Sequence, residues 1–451
     1  MNLVYKVNDK PKFGQLIIFA LQQLLAILAA TIAVPSIVGH EMSQSAALFG
    51  AGVGTIVYLL FTKFKSPVFL GSSFAFLGSM FAAFGGGVSV SLGYAGLLLG
   101  AVFAGLVYVI IALVVKAGGV KWINKLMPAV VIGPTVAIIG LSLAGNAIGD
   151  ALHGAELVDG SYVMGLSGWV SLICALVTLL TVIFFSVKGK KMFRLIPFIL
   201  GIVAGYLVAL VFTLIGRSTG NEALKVLNFA AFENMKWVPD FTFIKAFEGL
   251  KEMTWQRVAT IAVAYVPVAF VVFAEHIADH KNLSTIIGQE LLEDPGLHRT
   301  LLGDGVGSIA GAFFGGCPNT TYGESVGCVA ITGNASVITI LATAIIAIIA
   351  SFFGPFVTFL STIPSCVMGG VCITLYGFIA VSGLKMLQPV DLNDNRNLFT
   401  ASVILIAGIG GMTLKIGSVT LTEIASALIL GIIVNLLFNR SNRTEETKKH
   451  Q

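Results

Sequence analysis

The chain has 451 residues, of which 56% are hydrophobic and only 11% charged, against about 25% charged in an ordinary soluble protein. With a mean hydropathy of +0.94, it carries more apolar surface than a soluble fold can bury, which excludes a soluble enzyme and a disordered scaffold and leaves a polytopic membrane protein. The net charge of +5 fits basic cytoplasmic loops better than nucleic-acid binding. The long continuous apolar runs exclude a β-barrel, whose segments are short and alternate.

The first apolar run starts near Phe13, after Lys6, Lys10 and Lys12. It continues to Val34 without a small-residue cleavage pattern, so it is expected to stay as a membrane helix. Taking roughly 20 residues per crossing, runs bounded by Gly, Pro or charge predict about fourteen segments. They are 13–34, 46–62, 69–84, 92–115, 128–148, 166–187, 194–216, 257–279, 299–315, 318–332, 335–358, 364–382, 397–412 and 421–438. Segments 3 and 10 (69–84 and 318–332) are short and rich in Gly, Ser and Thr, and a hydropathy count alone would drop both.

Charge supports keeping them. With both termini cytoplasmic, most of the 27 basic residues fall inside. They include Lys63 and Lys65, Lys116, Lys121 and Lys125, Lys188, Lys190, Lys191 and Arg194, Lys281 and Arg299, and Lys385 and Arg396. Deleting the two weak segments would put the basic loops of the middle of the chain outside, against the positive-inside rule. Residues 217–256 are expected to be an extracellular connection. Cys174, Cys317, Cys328, Cys366 and Cys372 lie in apolar or Gly-rich stretches and read as packing residues.

The two halves resemble each other. Pro128-Ala-Val-Val-Ile-Gly133 is similar to Pro364-Ser-Cys-Val-Met-Gly369, and Ser72-Ser73-Phe74 to Thr320-Thr321-Tyr322. Seven crossings per repeat make the repeats inverted, as in many secondary transporters. Short interrupted segments at matching positions point to a binding site where the repeats meet. Non-helical backbone at membrane depth is tolerated only where protein or a cavity surrounds it. Short extended pieces leading into half-helices are therefore expected in segments 3 and 10. The free N–H groups at such helix starts can donate to a ligand.

Few charges interrupt the segments: Glu275, His276 and Asp279 in segment 8, Asp304 in segment 9 and Glu324 in segment 10. A carboxylate at membrane depth is costly and usually functional. Glu275 and Asp279 are four apart and share a helix face. Two carboxylates in one partly dry cavity cannot both ionise comfortably, which is the chemistry of a proton-coupled transporter. The alternatives are structural hydrogen bonds for Glu275 and Glu324, an interfacial Asp279, a cap or structural partner for Asp304, and a packing role for His276. His276 and His280 have i,i+4 metal-ligand spacing, but no third ligand accompanies them, so no metal is expected.

These residues carry a family resemblance. The chain resembles the nucleobase–ascorbate transporter family, most closely its bacterial uracil permease branch. The likeness rests on Ala274-Glu275-His276, Asp294-Pro295-Gly296-Leu297-His298-Arg299, Pro318-Asn319-Thr320-Thr321-Tyr322-Gly323-Glu324, Pro364 to Gly370, Gly71 to Phe76 and the pattern around Gln22. The resemblance implies an all-α polytopic fold of fourteen segments in a 7+7 inverted repeat. A core domain would hold 13–116 and 257–358, a gate domain 121–216 and 364–438, with 217–256 connecting them outside. It also implies a homodimeric, proton-coupled permease of the plasma membrane that binds uracil or a related nucleobase. No cofactor and no nucleic-acid partner are implied beyond the lipid bilayer and the coupling proton. Carried over residue by residue, Glu275 and Glu324 would hold the N–H edges of uracil. The backbone amides of Phe74 and Gly323 would meet its carbonyls, beside Ser73, and Phe74 or Tyr322 would cover a ring face. Proton coupling would fall to Glu275, Asp279, Asp304 and His276.

The chain departs from the uracil-branch pattern in three places. Asp279 stands where a histidine is expected four residues after Glu275, and His280 cannot replace it, because one residue turns a helical side chain by about 100°. Asp279 and Asp304 resemble the xanthine and urate branches, and Gln22-Gln23 replaces a Gln-His pair. Gly323-Glu324 nonetheless favours uracil, with xanthine or a broader nucleobase range as the alternative. A passive facilitator is the rival from another class. A membrane-embedded enzyme lacks a Ser-His pair, metal cluster or phosphate loop, and an anion exchanger would need a buried Arg or Lys in the site.

Overall fold

The computed structural model describes residues 3–119, 128–190, 192–233, 235–416 and 419–449. Lys121, Lys125, Lys191 and the first residues of the expected gate segment lie outside them. In chain order the principal helices are α1 (Phe13–Val38), α2 (Gln44–Phe61), α3 (Phe74–Phe84), α4 (Val90–Gly118), α5 (Ala129–Ala151), α6 (Leu166–Lys188), α7 (Pro197–Thr219) and α8 (Trp255–Ile287). They continue with α9 (Leu297–Gly315), α10 (Gly323–Thr332), α11a (Val337–Ser351), α11b (Gly354–Ser361), α12 (Ser365–Lys385), α13 (Asn395–Ile409) and α14 (Glu423–Lys449). Among the described residues, eight helices are long and apolar enough to cross a membrane: α1, α2, α4 to α8, and α12.

Local chemistry sets the ends. Ser43, Ser89 and Thr254 accept a backbone N–H at the starts of α2, α4 and α8, as N-cap residues do. Segment 335–358, expected as one run, is broken into α11a and α11b, which meet at 82°. Pro355 lies in the first turn of α11b, where its missing N–H costs nothing, while it could not continue a helix begun earlier.

The two short segments do contain extended backbone. Strand β1 (Leu70–Ser72) pairs antiparallel with β2 (Asn319–Thr321), in the register Leu70–Thr321, Gly71–Thr320 and Ser72–Asn319. The ribbon is fully buried, so its polar groups need partners inside the protein. Thr55 Oγ1 accepts from Leu70 N at 2.9 Å and donates to Leu70 O at 3.1 Å. Ser325 Oγ accepts from Phe69 N at 3.0 Å, and Asn319 Nδ2 donates to Gly50 O at 3.1 Å. The Tyr322 hydroxyl donates to Ser72 O at 2.8 Å, and its ring lies over Gly71, where a Cβ would come within 2.3 Å of it.

Two sets of helices pack among themselves. α9 lies against α2 and α4, α11a against α1 and α2, and α8 against α4. Separately, α7 packs on α6, α12 on α5 and α6, and α13 on α5 and α14. Small residues allow the closest approach: a Cβ on Gly50 of α2 would meet Gly311 O of α9 at 2.3 Å. Residues 217–256 run along both sets. Val226 N and Leu227 N donate to Thr213 Oγ1 of α7 at 3.1 and 3.0 Å. Phe241 stacks edge-on against Phe49 and Phe314, at 5.0 and 5.6 Å.

Candidate functional site

A cavity of about 390 Å³ lies between the two helix sets. One wall is polar and comes from the ends of β1 and β2 and from α8 and α10: Ser73, Phe74, Glu275, Asp279, Thr321, Tyr322, Gly323 and Glu324. The opposite wall is largely apolar and comes from α5, α7 and α12, through Val136, Ile139, Phe198, Leu375, Phe378 and Ile379, with Ser382 and Met386 toward one end. A mostly apolar lining with a few convergent polar groups is the usual make-up of a small-molecule site.

The β1–β2 ribbon aims two helix starts into this space. α3 begins with a tight turn at Phe74, and α10 begins at Gly323 just after Tyr322. First-turn N–H groups have no partner within their own helix, and they carry the positive end of its dipole. Glu324 sits in the first turn of α10, the position where a carboxylate is stabilised by that dipole. On the same wall, Glu275 and Asp279 lie one turn apart on α8, both half-buried. Asp279 Oδ2 accepts from Thr321 Oγ1 at 2.7 Å, which ties α8 to the end of β2. The approach is close, since a Cβ on Gly323 would lie 4.0 Å from Asp279 Oδ1.

All six residues expected at the substrate, Ser73, Phe74, Glu275, Tyr322, Gly323 and Glu324, thus line one cavity, and Asp279 joins them. The Tyr322 hydroxyl is already used by Ser72. Phe74 packs edge-on to Tyr376 of α12, with centroids 6.0 Å apart. Gln23, at the expected Gln-His position, donates to Ser325 Oγ beside Glu324 and so braces the start of α10.

His276 and Asp304 are not in the cavity lining. Both are completely buried behind it. His276 does not orient Glu275. It turns toward α9, where Nδ1 lies 2.6 Å from Asp304 Oδ2 and Nε2 lies 2.9 Å from Thr300 Oγ1. His280 is buried as well, with Nε2 at 2.6 Å from the Tyr58 hydroxyl and its ring stacked on that of His276 at 4.0 Å. Tyr58, Thr300 and the α12 wall were not singled out by sequence. Thr300 had a legible signal: it precedes Asp304 by four residues and so shares its face. The apolar residues of α12 had none, because their composition is that of any membrane helix.

The chain matches the model of a permease family over residues 14–417. The uracil permease of Bacillus caldolyticus is 42% identical over 437 residues, covering 96% of this chain and 94% of the relative. The uracil permease of Bacillus subtilis (strain 168) is 38% identical, covering 99% and 97%. Among solved structures, the murine Slc26a9 anion transporter in its inward-facing state superimposes with a TM-score of 0.67 at 12% identity, over 96% of this chain and 69% of that one. At that identity the likeness speaks for the fold alone. Together the family match and the near full-length relatives establish that this chain belongs to the nucleobase–ascorbate family of permeases and is a multi-pass membrane transporter, not an enzyme.

Proposed function

We propose that the chain carries uracil together with protons across the plasma membrane by alternating access. The single observation that carries this reading is the convergence of Glu275, Asp279 and Glu324 with two helix starts on one cavity wall. Uracil presents two N–H donors and two carbonyl acceptors around one plane. Glu275 and Glu324 match the donors, and the backbone N–H groups of Phe74 and Gly323 match the acceptors. The relatives described above are uracil permeases, which supports the same substrate.

The coupling proton belongs to Glu275 and Asp279. They are neighbours on one helix face, and a cavity that closes around both favours one proton between them. The helix sets are read as a core of α1–α4 with α8–α11b and a gate of α5–α7 with α12–α14, related as inverted repeats that rock against each other. With both termini read as cytoplasmic, Ser382 and Met386 near the end of α12 support a cavity mouth on the cytoplasmic side. A homodimer completes the reading.

Asp279 and Asp304, where the uracil branch differs, favour xanthine as a second reading. Labelled-uracil uptake into proteoliposomes, with and without an inward proton gradient and with excess xanthine, separates the cases. Gradient-driven accumulation that xanthine leaves intact is the expected result. Strong xanthine competition moves the substrate to the purine side, and indifference to the gradient removes proton coupling.

A further inference from the structure

We infer that Asp304 is held as a neutral carboxylic acid throughout the transport cycle, donating its proton to His276, so that the pair positions α8 and takes no part in proton coupling. Asp304 Oδ2 lies 2.6 Å from His276 Nδ1, a contact that requires a proton between them. His276 Nε2 lies 2.9 Å from Thr300 Oγ1, and the Thr300 hydroxyl donates to Leu297 O at 3.0 Å. The run Asp304 O–H to His276 Nδ1, His276 Nε2–H to Thr300 Oγ1, and Thr300 O–H to Leu297 O uses every proton once, in one direction.

The reverse polarity also uses each proton, with Thr300 donating to Nε2 and Nδ1–H to a carboxylate. It leaves a full negative charge on a side chain with no exposure, whose second oxygen, Oδ1, has no hydrogen-bond partner among the described residues. An unpaired buried charge costs far more than a bare carbonyl oxygen. An imidazolium facing a carboxylate leaves the same oxygen bare and separates two charges in a dry site. Only the neutral run avoids both.

Among the described residues, the surroundings offer no cation to change this. On α8 the neighbours are Glu275, Asp279 and His280. α4 brings Tyr108, whose ring is 6.3 Å from that of His276, and α2 brings Tyr58, which bonds to His280 and Ser66. Arg299, on the same helix as Asp304, directs its guanidinium to Phe61 O. What the run does is clamp α8 to α9 one residue away from Glu275.

The full-length protein in detergent tests the charge state by infrared spectroscopy. A carboxylic-acid carbonyl band should persist from mildly acidic to mildly alkaline buffer and vanish in Asp304→Asn, whose amide N–H can donate to His276 in the same direction. Thr300→Val, which removes the acceptor for Nε2–H, should shift that band without abolishing it, and serves alone should Asp304→Asn fail to fold. Titration across this range of the band that Asp304→Asn removes, or the absence of any carboxylic-acid band that either variant alters, overturns the inference. The uptake arm rests on the proton-coupled reading: Asp304→Asn should keep the accumulation ratio that an inward proton gradient drives in the wild type. Retained uracil binding with lost accumulation in that variant also overturns it. Wild-type uptake that ignores the gradient defeats the coupling reading instead and leaves the infrared arm standing.

Discussion

Glu324 and Asp279 stand on one cavity wall, and the proposed function gives them different work. Glu324→Gln replaces one acceptor oxygen with an N–H that faces a substrate N–H. A hydrogen bond to a charged group is worth about 1.5–3 kcal/mol, or about ten- to a hundredfold in Kd. Calorimetric titration of uracil in detergent is expected to show at least that loss, and unchanged affinity would take Glu324 out of the site. Asp279→Asn keeps the bond from Thr321 but removes a titratable group beside Glu275. It should depress gradient-driven accumulation more than uracil binding; equal losses in the two assays would contradict a separate coupling role. The carboxylates themselves were legible in sequence, because ionisable residues are rare in such apolar segments. Their division of labour was not, since Asp304 is as rare and as deep yet turns to His276 rather than to the cavity.

The elements that matter most are the short ones. β1, β2 and the starts of α3 and α10 hold their geometry through partners on other helices, so a small change beside them should be felt at the cavity. Gly71→Ala would drive a Cβ to 2.3 Å from the Tyr322 ring. The ring must move and give up its bond to Ser72 O. Overpacking of this kind costs about 1–3 kcal/mol, and a lowered thermal midpoint together with weakened uracil binding is the expected outcome. Normal binding would show that the ribbon tolerates a shift. Arg257 is a second support. From the first turn of α8 its guanidinium donates to the carbonyls of Ala82, Ala83 and Gly85, closing the end of α3. Arg257→Ala strands those carbonyls and should lower the thermal midpoint in detergent, with Arg257→Lys recovering part of the loss; a variant as stable as the wild type would deny Arg257 this anchoring role.

At the scale of the molecule, transport asks which side of the membrane the cavity faces. Ser382 and Met386 line it near the end of α12, and the five native cysteines are buried. Cysteine placed at Ser382 should therefore react with an impermeant maleimide in inside-out vesicles, with protection by uracil. Reaction from the outer face alone would reverse the proposed orientation. Residues 217–256, for which the sequence suggested only a connection, join Thr213 of one helix set to the phenylalanine cluster of the other. Any relative movement of the two sets must carry this segment with it.

Some properties of this protein follow from the chain alone. Hydropathy and charge are local sums, so they reveal a membrane protein, the long apolar helices and the two weak segments in which the strands lie. The cost of burying a carboxylate singles out Glu275, Asp279, Asp304 and Glu324 before any fold is known. What a side chain touches is not a local property. Gln23 meets Ser325, Tyr58 meets His280 and β1 meets β2 across separations of more than two hundred residues, and Asp279 finds Thr321 from another element. Hydrogen bonds act over about 3 Å, so only the packing of distant segments could decide which carboxylates share the cavity and which one is sealed behind it.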